Sequence, residues 1–400
     1  MSEAREGTLL QRILDADSRH DPYPLYDRLR ERAVFQEPDG SYVVTGYAEV
    51  AALLGDPRLS ADPANSPAPP SPPFSFLNMD PPGHDRVRRL TMRHFGPPND
   101  PGRVEAMRPH LFGQATLLID ALRGRDEIDV VADVAYPFPV TVVADLLGVP
   151  REDEPKFHVW AEAIVQAADW DPRDRSPSAG VQAAIMELGA YMMGLIQAKR
   201  RDPRDDMLSR LANDDGPEGA LSSPELTGVA ILLLLAGHET TVNLIANGML
   251  TLLRKPDVLA RLKAEPGLET PLVEELLRYE PPVHFTFRST LADVDAGGVT
   301  IPAGSAIRLM LACANRDPAR FQHADRFIPD RANNAHLGFG SGIHACFGAP
   351  LARLEGQVAL REMARRLVDP VLLDEPPPYR INPTLRGPRR LRVRIAGVID

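Results

Sequence analysis

The chain has 400 residues, with 45 lysines and arginines against 55 aspartates and glutamates, so its formal net charge is −10. This acidic balance argues against a general nucleic-acid-binding protein, which normally carries a basic surplus. The content of 44% hydrophobic and 25% charged residues is typical of a globular protein with a sizeable core. The two cysteines exclude a disulfide framework and an all-cysteine metal site, and they fit a reducing cytoplasm.

The N-terminal residues are charged and lack the apolar run of a signal peptide. The longest uninterrupted apolar run, residues 229–237, has nine residues, whereas a membrane span needs about 20. We therefore expect a cytoplasmic protein that does not span a membrane.

Helical patterns separated by proline and glycine dominate the chain. In chain order, helices are predicted at residues 22–33, 45–55, 103–123, 139–147, 155–170, 179–200, 222–254, 257–264, 270–279 and 348–368. The longest begins with a capping box from Ser222 to Glu225. Strands are predicted as a hairpin around Asp39-Gly40 and at 298–301, 305–311 and 391–396. The predicted fold is mainly α with a small β part, in one domain spanning residues 1–400.

Residues 56–82 contain nine prolines. No regular helix or inner strand tolerates this density. Long loops of this kind in compact domains are often lids or binding loops, and a solvated connector is the alternative.

The most informative stretch is residues 339–348, in which glycines flank Cys346 and a predicted helix follows. At a helix N-terminus, unpaired N–H groups and the positive end of the helix dipole favour a thiolate. Such a thiolate suits a nucleophile, with His344 two residues away as a candidate base, or a metal ligand. A purely structural thiol is the third interpretation.

This stretch resembles the haem-binding loop of the cytochrome P450 superfamily, F-x-x-G-x-H-x-C-x-G. Four further segments follow the family's chain order: residues 79–88 resemble its propionate-binding segment, 236–241 its oxygen-activation motif, 275–278 its E-x-x-R motif and 324–327 its second arginine segment. The resemblance covers essentially the whole chain and is to the soluble bacterial type, in particular actinobacterial biosynthetic members. It implies a triangular helical prism with a small β-rich region, in which a long central helix crosses the haem.

The resemblance implies one haem b whose iron is bound by the Cys346 thiolate, a ligation that favours O–O cleavage. Glu239 and Thr240 resemble the acid–alcohol pair that relays protons for oxygen activation. The implied cofactor contacts are Ala236, Gly237, Phe339, Gly340 and Gly348 beside the ring and His84, Arg88, Arg288 and His344 at the two propionates. Glu275 and Arg278 share a helix face, and Arg326 is the predicted third partner in a structural triad.

Substrate-facing residues are implied in three segments and suggest a bulky, largely apolar substrate with a polar handle. They are Phe74, Phe76 and Leu77 in the proline-rich loop, Leu232 and Leu233 before Gly237, and Val283, His284, Phe285 and Phe287. Ordinary core packing is the alternative for each of them.

The expected reaction is insertion of one oxygen atom from O2 by hydroxylation or epoxidation, in natural-product biosynthesis. We expect a monomer that receives electrons from NAD(P)H through a separate ferredoxin reductase and ferredoxin. Residues 84–108 carry six arginines against three acidic residues and are the expected ferredoxin surface. Oxidative coupling, desaturation or peroxide-driven oxidation by the same fold are alternatives, as are a non-catalytic haem-binding module and a cysteine hydrolase.

Overall fold

Helices form most of the protein. The computed structural model describes residues 7–66, 75–96, 100–153, 155–156, 159–160, 163, 179–216 and 219–400. In chain order the α-helices are α1 (Leu9–Leu14), α2 (Tyr23–Leu29), α3 (Tyr47–Leu54), α4 (Gly83–Met92), α5 (Pro101–Ala106), α6 (Arg108–Asp120), α7 (Pro137–Leu147), α8 (Ala179–Arg201), α9 (Met207–Ala212), α10 (Ser223–Leu253), α11 (Pro256–Ala264), α12 (Glu269–Tyr279), α13 (Leu311–Ala314) and α14 (Ala349–Arg366).

The strands are short and form small sheets beside the helices. They are β1 (Val34–Gln36), β2 (Tyr42–Val44), β3 (Leu59–Ser60), β4 (Glu127–Asp129), β5 (Thr286–Thr290), β6 (Val294–Ala296), β7 (Val299–Ile301), β8 (Ala306–Leu309), β9 (Leu367–Val368), β10 (Val371–Leu372), β11 (Arg392–Arg394) and β12 (Gly397–Val398). The largest described sheet has the order β1-β2-β8-β5-β3, in which only the β2–β8 pair is parallel. The smaller ones are β10-β11-β4, β12-β9 and β6-β7.

The central helix α10 organises the fold. The Ser222 side chain accepts a hydrogen bond from the Glu225 N–H, as the predicted capping box requires. The helix packs against α7, α8 and α14. Its length and composition would allow a membrane span, but 78% of its most apolar window is buried inside the protein. It is therefore a core helix, and it brings residues 236–244 against the helix that follows Cys346.

Most predicted elements recur with shifts of a few residues, and the architecture is mainly α with small sheets, as the sequence predicts. The predicted helix at 103–123 is instead the two helices α5 and α6, because Pro109 lies in the first turn of a new helix. Helix α4 lies where no helix was predicted. The predicted helix at 155–170 lies mostly outside the described residues, as do residues 67–74 of the proline-rich loop. Elsewhere that loop contains only β3 and single 3-10 turns such as Phe76–Asn78.

Candidate active site

A large internal cavity lies between the central helix and the cysteine-containing loop. The empty space inside it, together with the open solvent at its mouth, is about 1450 Å³. Its walls come from α10, from residues 338–348 with the start of α14, from residues 282–288, and from Phe76 and Leu77. Most of these side chains are apolar, so the cavity suits a large apolar guest.

The loop at residues 339–348 presents Cys346 to this cavity. The Cys346 N–H donates to the carbonyl oxygen of Phe339 at 2.9 Å and closes the loop. Gly342 has φ +70°, and a Cβ at this position would lie 2.4 Å from the carbonyl oxygen of Leu54. Only glycine can occupy that position without displacing α3, so the motif spacing has a steric cause.

Cys346 and Cys313 have different surroundings. Burial raises the pKa of Cys346, but the N–H groups of Gly348 and Ala349 donate to its sulfur and oppose that shift, as do the charges of Arg88 and Arg353. Cys313 is fully buried away from the cavity, its Sγ contacts the Tyr26 carbonyl oxygen at 3.4 Å, and burial raises its pKa to about 12. Of the two cysteines, Cys346 is the one on the cavity wall, where its side chain is open to the cavity, whereas Cys313 is buried.

The central helix forms the other wall through Ala236, Gly237, Thr240 and Thr241. Oγ1 of Thr240 donates to the carbonyl oxygen of Ala236 at 2.7 Å, the back-bond that a mid-helix hydroxyl group makes. Glu239 is not among the described residues that line the cavity. It is buried, and its Oε1 lies 3.0 Å from Nε of Arg380. The structure thus places the two members of the acid–alcohol pair on different faces of the helix.

One end of the site is basic. Arg88, Arg288 and His344 line the cavity, and the His84 ring lies 4.5 Å from the His344 ring. The buried Nε2 atoms of both histidines have no hydrogen-bond partner among the described residues. Burial, reinforced by the charges of Arg288 and His84, lowers the pKa of His344 to about 4. In the described part of the chain, no carboxylate forms an ion pair with Arg88 or Arg288, whereas Nδ1 of His84 lies 2.8 Å from Oδ1 of Asp85.

This donor set fits the haem that the sequence implies. Two arginines and two imidazole nitrogens at one edge match the two propionates, which prefer charge-assisted donors. Phe339, Gly340, Gly348, Ala236 and Gly237 all line the cavity between Cys346 and the central helix, as the resemblance implies. The residues present are therefore compatible with a haem bound in this cavity.

The predicted substrate-facing residues divide into two groups. Phe76, Leu77, Leu232, Leu233 and Val283 line the cavity. Phe74 lies outside the described residues.

His284, Phe285 and Phe287 do not line the cavity, which corrects the prediction for these three. Side chains alternate along a strand, so Thr286 and Arg288 of β5 face the cavity while Phe287 faces outward and is 53% exposed. Phe285 is buried in the core cluster near α1 and α2. His284 is also buried there, and its Nδ1 lies 2.6 Å from the hydroxyl oxygen of Tyr26.

The structural triad forms with a different third member. Arg278 donates through Nε and Nη2 to the Glu275 carboxylate, both at 2.8 Å. The further cation is Arg331, whose Nε lies 3.0 Å from Oε2 of Glu275. The predicted partner Arg326 is exposed and contributes only its carbonyl oxygen, which accepts from Arg278. The motif spacing predicted the correct segment, but the turn after that segment places Arg331, instead of Arg326, beside the Glu275 carboxylate.

Two site residues were not predicted from the sequence. Glu355 lines the cavity four residues after Leu351, and this helical spacing was the signal for it. Burial alone raises its pKa well above the ordinary value. Arg380 reaches Glu239 from a distant loop, and no local pattern indicates it.

The arginines at residues 84–108 are largely paired. Arg86 binds Glu225 at 2.7 Å and Arg93 binds Asp214 at 2.8 Å, so carboxylates from outside the segment reduce its positive charge. Arg103 and Arg108 pair with acidic residues three positions earlier. Arg89 is exposed on the same helix as the cavity residue Arg88.

Comparisons with known proteins identify the same family along the chain. The family model for cytochrome P450 matches residues 34–266 and 270–379. The chain is 42% identical over 398 residues to the cytochrome P450 monooxygenase PikC of Streptomyces venezuelae, which covers 95% of this chain and 92% of that protein. It is 38% identical over 376 residues to the 6-deoxyerythronolide B hydroxylase of Saccharopolyspora erythraea, covering 88% and 90%.

Solved structures agree in fold. The ligand-free crystal structure of CYP164A2 from Mycobacterium smegmatis superposes with a TM-score of 0.86 at 39% identity, covering 96% of this chain and 99% of that one. The open form of cytochrome P450 Eryk from S. erythraea superposes with a TM-score of 0.88 at 32% identity, covering 96% and 98%.

Proposed function

The chain belongs to the cytochrome P450 family, and on that premise we propose that it inserts one oxygen atom into a bulky, largely apolar substrate in natural-product biosynthesis. Membership confirms the predicted fold, a haem with cysteine-thiolate ligation and a monooxygenase that uses a small-molecule substrate, O2 and redox partner proteins. The proposal concerns the substrate, the type of oxidation, the electron-transfer partner and the roles of individual residues.

One observation carries the residue assignment: Cys346 and Thr240 line the same cavity from two different elements. Bound haem supplies the iron chemistry that activates O2. Cys346 would hold the iron, with the N–H groups of Gly348 and Ala349 stabilising its thiolate. Arg88, Arg288, His84 and His344 would bind the propionates.

The central helix would provide the proton-transfer residues and leave room on the cavity wall. Gly237 leaves room on the cavity wall, where an added Cβ would already lie 3.1 Å from Val143. Thr240 would pass a proton into the cavity through its hydroxyl group, and Glu239 would replenish that proton. An acid–alcohol pair favours O2-dependent oxygen insertion over a peroxide-driven reaction.

The substrate class follows from the walls and from relatives. Leu77, Leu232, Leu233 and Val283 form an apolar wall that excludes water and polar groups. Among relatives, one is named a vitamin D(3) 25-hydroxylase, and a crystal structure of CYP109E1 contains testosterone. We propose a substrate of comparable bulk. Desaturation or oxidative coupling at the same site is the second candidate, because both use the same apolar wall.

We propose that a ferredoxin delivers the electrons and docks on the face carrying Arg89. Because Arg89 is exposed on α4, Arg89→Glu is the probe of this surface. We expect slower ferredoxin-driven reduction at low salt and an effect that shrinks as salt rises. An unchanged salt dependence would contradict this surface. A cytoplasmic monomer remains part of the proposal.

The decisive experiment compares the two cysteines. Purified protein is reduced and exposed to carbon monoxide, alongside Cys346→Ala and Cys313→Ala. We expect the shifted Soret band of thiolate ligation in the wild type and in Cys313→Ala, and its loss in Cys346→Ala. A band that survives in Cys346→Ala would overturn the ligand assignment. Haem-bound protein also reports substrate binding by spin-state shifts, which allows a library of macrolactones and sterols to be screened.

Thr240→Ala tests the proton role once a substrate is found. We expect more hydrogen peroxide and less product per NADH consumed, since proton delivery into the cavity fails. Equal coupling in the variant and the wild type would place the proton path elsewhere.

A further inference from the structure

A buried ion pair joins Glu239 to the C-terminal part of the chain. Nε of Arg380 lies 3.0 Å from Oε1 of Glu239, and the two side chains are 10% and 5% exposed. A carboxylate this far from water stays ionised when a cation is next to it, whereas desolvation by itself favours the neutral acid. The pair thus fixes both the charge and the position of Glu239.

The pair is the start of a polar stripe on the central helix. Glu239, Asn243 and Asn247 are spaced by four residues and share one helix face. Nδ2 of Asn243 donates to Oε1 of Glu239 at 3.4 Å, and Nδ2 of Asn247 donates to the carbonyl oxygen of Arg386 at 2.9 Å. A Cβ on Gly387 would lie 2.1 Å from Oδ1 of Asn243, so the loop lies directly on this stripe.

Arg380 extends from a loop that is fixed on both sides. The N–H of Arg380 donates to the carbonyl oxygen of Gly387 at 3.2 Å. Arg386 is buried and donates to carbonyl oxygens just before α2. Leu385 forms a β-bridge with the cavity residue Val283. The Arg380 guanidinium group is therefore presented from a loop that is held on both sides.

The pair directs Glu239 away from the cavity. Thr240 lines the cavity, and neighbouring helix residues lie about 100° apart around the axis. His238, the titratable side chain before Glu239, faces another element, with its ring 4.7 Å from that of Tyr136. Proton transfer from Glu239 to Thr240 therefore requires the carboxylate to leave Arg380 and rotate toward the cavity.

We propose that Arg380 is a positioning residue for proton delivery: it holds the Glu239 carboxylate on the loop side of the central helix and releases it for each transfer to Thr240. This rests on the proposed proton role of Glu239 and Thr240. Glu239 takes a proton from water and gives it to the Thr240 oxygen, and that hydroxyl group passes its own proton into the cavity. The carboxylate then returns to Arg380, so neither residue gains or loses a proton over the cycle.

The first test measures the protonation state of Glu239 in the haem-loaded protein. Infrared spectra at neutral pH compare the wild type with Arg380→Gln, Glu239→Gln and the double variant. We expect a protonated-carboxyl C=O band to appear in Arg380→Gln and to be absent from the double variant. A band from any other buried carboxyl, such as that of Glu355, is common to all four samples and cancels in the difference spectra. An Arg380→Gln spectrum identical to that of the wild type would overturn the proposal.

The second test measures proton delivery without a substrate. A surrogate ferredoxin and ferredoxin reductase drive NADH oxidation, and hydrogen peroxide released per NADH is measured. We expect Arg380→Gln to raise this ratio at least twofold when Glu239 is present and to change nothing in the Glu239→Gln background. Equal rises in both backgrounds would overturn the proposal, because Arg380 would then act through another group. Arg390→Gln is the matched control, since Arg390 is 57% exposed and pairs with Asp129.

The variants also separate this inference from the proton role on which it rests. If Glu239→Gln leaves the peroxide ratio unchanged, the proton role of Glu239 is wrong and this inference falls with it. If Glu239→Gln raises the ratio and Arg380→Gln does not, only the inference about Arg380 is wrong.

Arg380→Lys replaces Arg380→Gln if the latter does not retain haem. A lysine keeps the cation but not the arginine geometry. We expect Arg380→Lys to raise the amount of hydrogen peroxide per NADH only when Glu239 is present. An equal rise in the Glu239→Gln background, or no rise in either, would overturn the proposal.

Discussion

The network around Glu275 and the basic end of the cavity are both charged, but their partners differ. Glu275 binds two arginines, whereas Arg88 and Arg288 donate within the described chain to carbonyl and hydroxyl oxygens and to no carboxylate. Glu275 and Arg278 are both completely buried. The carboxylate accepts from Arg278, Arg331, the Ile328 N–H and the Asn334 side chain. The Arg278 guanidinium also donates to three backbone carbonyl oxygens.

At the basic end of the cavity, Arg88 and Arg288 lie close to the ring nitrogens of His84 and His344 that have no partner in the described chain. Burying polar groups without partners costs free energy, so a protein retains them where a ligand satisfies them. The first region thus stabilises the fold, whereas the second has donors that an anionic ligand would satisfy.

Glu275→Gln should produce the largest effect. Removing one side of a buried ion pair leaves Arg278 and Arg331 without a counter-charge, which costs about 3–5 kcal/mol of unfolding free energy. Urea unfolding of haem-loaded protein measures this loss. Glu265→Gln, which removes an exposed partner of Arg261, is the control and should have little effect. A loss as small as that of the control would remove the distinction between the two regions.

Arg88→Gln and Arg288→Gln should weaken haem retention more than folding. Each variant removes a charge-assisted hydrogen bond worth about 1.5–3 kcal/mol, so haem release should accelerate about tenfold to a hundredfold. Haem transfer to an excess of a scavenging haem protein gives the rate. Arg254→Gln, at an exposed pair with Glu375, is the control. Unchanged release rates would show that the basic end does not bind the propionates.

Glu274→Gln should reduce the sensitivity of the protein to acid. Burial raises the pKa of Glu274, but hydrogen bonds from His336 and Arg353 outweigh it and lower the pKa from 4.5 to about 2. A lowered carboxyl pKa adds stability that is present above pH 4.5 and is lost as pH falls toward about 2.

Because Arg353 is 36% exposed, solvent screens this pair, and we expect an effect of only about 1 kcal/mol. Urea unfolding of both proteins between about pH 5 and pH 3 should show a shallower decline for Glu274→Gln. Parallel declines would assign the acid sensitivity to other carboxylates.

Glu355→Gln should have the smallest effect near neutral pH. Burial raises the pKa of Glu355 and favours its neutral form, so an amide of the same shape should replace it at a cost within about 1 kcal/mol. The sign of the pH dependence is distinctive. The native state holds a proton that the unfolded chain releases, so wild-type stability declines as pH rises above the ordinary glutamate range, and the variant should lack this contribution. Urea unfolding at about pH 5 and pH 8 measures this contribution. The same loss of unfolding free energy in the wild type and the variant would mean that burial does not raise the pKa of Glu355.

Much of the site could be predicted from the sequence because its motifs are local. The glycine–cysteine loop, the acid–alcohol pair and the Glu275–Arg278 spacing each follow from a few neighbouring residues. The family resemblance implied the cavity positions of Leu232, Leu233, Ala236 and Gly237, and their spacing on one helix agrees with it. The predictions for Phe285 and Phe287 were wrong because strand alternation puts Thr286 and Arg288 on the cavity side.

The sequence by itself determined the helical architecture, the family resemblance and the residues that carry local chemistry, because those depend on spacings of one to ten residues. Only the tertiary structure decided which distant side chains form an ion pair with each buried charge. Arg331 instead of Arg326 reaches Glu275, and Arg380 reaches Glu239. It also decided which buried polar atoms have no hydrogen-bond partner among the described residues, such as Nε2 of His84, Nε2 of His344 and Oε1 of Glu355. Ion pairing depends on atoms coming within about 4 Å across the fold, and sequence distance carries no record of that separation.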